Sequence, residues 1–173
     1  MKRRTALTTL GAGVVAIGAG AWLALPSGSR ALTIASAASE LAKLKGAAIK
    51  HTGGWTPAQV FEHLAQSIDY SMIGFPQSKS PLFQSTAGAV AFAVFQSKGA
   101  MTHGLTEPIP GAPVLATNGN TDAALDRLLA SLKTFDTYAG ALKPHFAYGP
   151  LDKTQYAAAH AMHVFNHLTE FSA

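Results

Sequence analysis

Leu151-Asp-Lys-Thr-Gln-Tyr-Ala-Ala-Ala-His160-Ala-Met-His163-Val-Phe-Asn-His167-Leu-Thr-Glu-Phe171 is the stretch on which the reading of this chain turns. Asp152 is a natural N-cap, and Gln155 three residues on can close a capping box. The run after it is alanine-rich and is read as one helix. At 100° per residue, His163 and His167 stand one turn apart on one face, and His160 lies a turn further back on the same side. Two imidazoles at i and i+4 bind one transition metal when another helix supplies a further ligand. The plainer alternative is a buried, hydrogen-bonded histidine cluster without metal.

The partner helix is written in Thr56-Pro57-Ala58-Gln59, with Thr56 as N-cap, Pro57 at the first helical position and Gln59 positioned for a capping box. It should run to about Ile73 and stop at Gly74-Phe75-Pro76. Its apolar stripe contains Val60, Leu64 and Ile68, and His63 falls inside that stripe. Tyr70 follows two turns later. His63 is either a satisfied core residue or a ligand. As a ligand, joined by a pair from the last helix, it makes three nitrogens and leaves one coordination position open, the arrangement of catalytic zinc sites.

Further out, Leu41, Leu44 and Ala48 mark a short amphipathic helix between Ala37 and Ile49. Phe83 to Phe95 is apolar nearly all round and predicts an extra short, deeply buried helix, with a buried strand as the alternative. Gly99 to Asn120 holds Pro108, Pro110 and Pro113 and reads as a long crossover loop. Loops of that length are functional or packed over something, and this one carries His103 and Glu107. Asn120 or Thr121 caps a helix whose apolar face is Leu125, Leu128, Leu129, Leu132, Phe135 and Leu142, ended by Lys143-Pro144. His145 lies in the short aromatic link to the histidine helix. The expected fold is all-α, an up-and-down four-helix bundle.

Composition narrows the chemistry. Lys2, Arg3, Arg4 and Arg30 account for four of the thirteen basic residues, so from Ala31 onward nine basic residues face nine acidic ones. A neutral domain without an arginine cluster is not expected to bind nucleic acid. With no cysteine, thiolate catalysis and Cys-ligated zinc are excluded. Residues 1–30 form a basic start, an apolar run and a small-residue exit. Arg3-Arg4 with Leu7 resembles a twin-arginine export signal, with Ala35-Ser-Ala37 as a candidate cleavage site. The rival reading is a retained membrane tether through residues 5–25. Both place the 31–173 domain outside the cytoplasm, periplasmic or anchored to the outer side of a bacterial inner membrane.

Trp55-Thr-Pro-Ala-Gln-Val-Phe-Glu-His63-Leu, Gly74-Phe75-Pro76, Pro108-Ile-Pro-Gly-Ala-Pro113, Pro144-His-Phe-Ala-Tyr-Gly149 and His160-Ala-Met-His-Val-Phe-Asn-His167 together resemble an export-associated branch of the DinB/YfiT-like superfamily of metal-dependent helical bundles. The resemblance implies a divalent transition metal, zinc or nickel first, iron or manganese otherwise. Its ligands would be His63 from the second helix and His163 and His167 from the last. His160 departs from the simplest pattern, as an alternative to His167 or as an outer group; Tyr70, His103 and His145 are further outer-group or alternative ligands. Characterised relatives include thiol-dependent transferases and a maleylpyruvate isomerase. Two functions are therefore expected to compete. One is a metal-dependent, thiol-transferase- or hydrolase-like protein with an open site for a small molecule. The other is a non-catalytic, metal-stabilised or ligand-binding bundle at the cell envelope. An open coordination position separates them; closure by His160 or Glu107 would favour the second. Neither the substrate nor the oligomeric state can be read from the residues.

Overall fold

The computed structural model describes residues 27–172, so the expected export signal and the tether through residues 5–25 lie outside the described residues. The described chain is predominantly helical: α1 Ile34–Ala42, β1 Lys50–His51, α2 Pro57–Ile73, α3 Pro81–Phe83, α4 Ala89–Lys98, α5 Thr121–Thr137, α6 Lys153–His167 and β2 Phe171–Ser172. A π-helical turn, Gln84–Gly88, joins α3 to α4, and a 3-10 turn, Leu168–Glu170, joins α6 to β2. The strands pair antiparallel with His51 opposite Phe171, pinning the end of the chain beside the entry to α2.

The two helices that matter most start where their residues dictate. Thr56 accepts a hydrogen bond from the Gln59 amide at 3.3 Å while the Gln59 side chain accepts from the Thr56 amide at 3.0 Å. Asp152 and Gln155 form the same reciprocal box at the start of α6, and each box satisfies two backbone donors that a helix start otherwise leaves unpaired. Helices α1, α2, α5 and α6 share one core that includes Leu41, Phe61, Leu64, Leu128, Phe135 and Tyr156. The most extensive helix contact is between α2 and α5. Burying each such side chain contributes about 1.5–3 kcal/mol. A smaller cluster, Phe92, Phe95, Met101, Ala159 and Met162, fixes α4 and the following loop to the outer side of α6.

Four expectations need correction. The apolar run Phe83–Phe95 is helical but not deeply buried: Phe92 and Phe95 pack inward, while Val90 is 57% exposed. It meets α6 along one face, and small alanines supply much of its apolar character. The α5 helix ends at Thr137, because Tyr138 turns to extended geometry, and Leu142 reaches the core from an irregular segment. The histidine helix ends at His167, and Phe171 is in a strand. The first helix begins at Ile34, capped by Thr33, and stops at Ala42 before Gly46 takes a left-handed φ of 70°. The candidate cleavage site Ala35–Ala37 therefore lies inside α1, with Ala37 wholly buried.

Candidate metal centre

His63 on α2 and His163 and His167 on α6 meet where the two helices cross, each offering a ring nitrogen within 4.8 Å of the others. The Nε2 atoms of His63 and His163 are 3.1 Å apart, and one of these two rings donates a hydrogen bond to the other. Neighbouring nitrogens on a tetrahedral zinc stand about 3.3 Å apart, given the usual Zn–N length. The His63 ring is held edge-on by Trp55, with centroids 5.1 Å apart, so the residue just before the Thr56 N-cap packs against the histidine face.

The nitrogens of this trio are poorly satisfied by protein. Both ring nitrogens of His167 and Nδ1 of His63 are buried without a hydrogen-bond partner, and His167 is 0% exposed. A buried polar atom left unpaired costs roughly 1–3 kcal/mol. The trio also holds its rings neutral. Burial pushes His63 down to about 4 and His167 to about 3, with the neighbouring histidines adding to the shift. His163 is lowered well below its ordinary value, first by burial and then by His103, His63, His167 and His160. Neutral imidazoles with free lone pairs are what a divalent cation requires, so the donor set fits such a metal.

A cavity of about 240 Å³ opens beside the trio, and His63, His103, His163, His145 and His160 reach its wall. Lys79 and Glu107 add one charge of each sign to the lining. The loop expected as a crossover strap is what roofs this space: it buries Met101 and Ile109 and brings His103 to 4.7 Å from the His163 ring and 5.2 Å from that of His167.

His160 and His145 are placed differently from the trio. His160 stacks on Tyr156 and meets Phe135 edge-on, with Nε2 3.2 Å from Ser71 Oγ. Ser71 gives its own hydrogen to the Ile68 carbonyl at 2.6 Å, so His160 Nε2 must donate. His145 Nδ1 accepts from the amides of Ala147 and Tyr148, both at 3.2 Å, which leaves its proton on Nε2. The turn that supplies these amides needs Gly149, whose φ is 76°. Burial holds both histidines at about 3, so they are neutral. Tyr70 stands against Phe75, centroids 5.7 Å apart, rather than against the trio. Glu62 and Asp69 turn outward to Arg127, at 3.0 and 2.8 Å.

Sequence reasoning gave no role to His51. Its ring packs on Phe171 and lies 3.6 Å from a Glu170 carboxylate oxygen, close enough to His167 to help depress it. Only the β1–β2 pairing brings these residues together, and two-residue strands leave no periodic signal. Neither a curated protein nor a solved structure matches the chain. Residues 29–173 match the family described as "Protein of unknown function (DUF1569)", and the chain belongs to that family.

Proposed function

We propose that this is a metal-dependent protein of the DinB/YfiT-like kind, a four-helix bundle that holds a divalent transition metal through His63, His163 and His167 and admits a small molecule to it from the adjoining cavity. The observation that carries the reading is the meeting of three neutral histidines from two helices, with Nδ1 of His63 and both nitrogens of His167 left unsatisfied by the protein. Export or tethering through the N-terminal segment belongs to the same reading, on the strength of Arg3-Arg4 and the apolar run after it.

A bound divalent metal supplies Lewis-acid chemistry and lowers the pKa of a water or thiol toward neutrality. The chain's own residues supply the rest. Trp55 and the α2–α6 crossing orient the donors, and the strap covers the cavity and limits water. His145, fixed as an Nε2–H donor on the cavity wall, is suited to hold a substrate oxygen without giving up its proton. Glu107 is the carboxylate on the lining and the group best placed to take a proton there. Of the two chemistries, thiol transfer asks less of the chain, because it does not depend on a strong base.

The test is metal content by mass spectrometry on untagged full-length protein beside its His163→Ala variant. One equivalent of a transition metal, lost in the variant, supports the reading. Protein that stays metal-free when offered zinc, nickel, iron or manganese would sink it.

A further inference from the structure

We infer that His103 is a fourth, exchangeable protein ligand, carried on the strap and delivered to the coordination position that the helices leave open. The inference rests on the trio as the metal site and adds to it how that site is closed at rest.

The geometry of the strap carries it. His103 Nδ1 lies 2.9 Å from the Gly104 carbonyl. A carbonyl oxygen only accepts, so Nδ1 holds the hydrogen and the neutral ring presents a bare lone pair at Nε2. That Nε2 is buried and has no hydrogen-bond partner. The Gly104 carbonyl also accepts from the Glu107 amide at 3.3 Å, so one turn fixes both the ring and its tautomer. Metal-bound histidines are oriented in this way, with the non-ligating N–H given to a backbone carbonyl. A Cβ on Gly104 would meet the Glu107 carboxyl carbon at 2.6 Å, so the Glu107 side chain packs directly over this turn.

The ring also stands in the right company. Its centroid is 4.7 Å from His163 and 5.2 Å from His167, while the trio's own separations run from 5.0 to 5.2 Å. His103 is nonetheless not one of the three whose nitrogens already lie within 4.8 Å of each other. A small inward movement of the strap closes that gap. Such a ligand differs in kind from the other three: those sit on packed helices, while His103 sits on a loop without regular structure, beside the cavity through which a small molecule would enter. An incoming donor therefore displaces His103 in preference to His63, His163 or His167.

The test uses full-length wild-type protein with His103→Ala and His163→Ala. Zinc affinity is measured against a chromophoric chelator, and the visible spectrum is recorded with cobalt(II). His103→Ala should still take up one equivalent but bind zinc at least tenfold more weakly, on the scale of losses seen when even an outer group is removed. Its cobalt spectrum should change and return toward wild type when free imidazole is added, which a merely structural role would not produce. Affinity within about twofold of wild type, with an unaltered spectrum, overturns the assignment of His103 while leaving the trio standing. Loss of binding in His163→Ala with near-normal binding in His103→Ala has that same meaning. A wild-type chain that binds neither ion removes both the trio and its cap.

Discussion

Helix α6 carries two histidine environments two turns apart, and the contrast between them is the most informative feature of the molecule. His160 is buried among Tyr156, Phe135 and Ser71, and its Nε2–H has an acceptor. His167 is as deeply buried, yet neither of its nitrogens has a partner. Same residue, same helix, same burial: one is satisfied by the fold and the other is not. A fold that leaves a polar group unpaired gives up stability that an apolar residue of similar size would keep. The natural explanation is a ligand that satisfies it, and the predictions below are arranged to split the two environments apart.

The largest effect should come from taking away trio members. His163→Ala, and independently His167→Ala, should reduce bound metal from one equivalent to none by elemental analysis, while His160→Ala should retain it. Retention in His167→Ala with loss in His160→Ala would reverse the comparison and make His160 and His163 the ligating pair.

Acid should act next, through the buried histidines, where the satisfied pair adds to a loss of the same sign from His63, His163 and His167. His145 and His160 titrate near 6.5 in an unfolded chain and near 3 in the fold. Between those values the unfolded chain binds more protons, so stability rises with pH, and it is lost as pH falls from about 6.5 toward 3. Both side chains are almost wholly buried, and the expected loss is on the order of 3 kcal/mol or more for the pair. Urea midpoints measured on chelated protein across that range would check it. A flat profile would mean that these rings are protonated in the fold, against the donor assignments given above.

How far the sequence could carry these readings depends on what kind of signal each residue leaves. The capping boxes at Thr56 and Asp152 are local chemistry, four residues each, and they placed the start of both histidine-bearing helices. The period of 3.6 puts His63 on a core face and the α6 histidines on one stripe, which leads to one donor from α2 and a pair from α6; the choice of His163 and His167 as that pair is what the family resemblance implies. Period cannot choose between His160 and His167, which nearly eclipse each other. That choice is made by Ser71 on α2, a contact between residues 89 positions apart. It misled at Leu142, seven residues after Phe135 and so in phase, though the helix has already ended at Thr137. Apolar composition misled at Val90, because a run of alanines and valines says nothing about whether a second layer exists to cover it. His103 lies in a stretch with no period at all; only the turn at Gly104 fixes where its ring goes.

A smaller effect tests the contrast through stability alone. With metal removed by chelator, His167→Leu should leave the urea midpoint unchanged or raise it, since the leucine replaces two unpaired buried nitrogens. His160→Leu removes a hydrogen bond that is made, and should lower stability by about 1–2 kcal/mol. The sign of the difference between the two variants is the measurement. If both are destabilised alike, His167 is a packed core residue and its orphaned nitrogens have lost their meaning.

The smallest effect isolates the single hydroxyl that separates the two environments. Ser71 Oγ accepts from His160 and donates to Ile68, and the residue is 0% exposed. Ser71→Ala removes both bonds with little loss of volume and leaves His160 Nε2–H unpaired, costing about 1 kcal/mol. His160 would then resemble His167 in everything but its neighbours. If metal stoichiometry and affinity stay at wild-type values, the Ser71 bond serves packing and the ligand set is determined by where the helices cross. If instead Ser71→Ala changes metal affinity, the bond restrains the register of α6, and His160 acts on the site by fixing His163 one turn further on. The two outcomes are distinguished by one titration on a variant whose fold is close to intact.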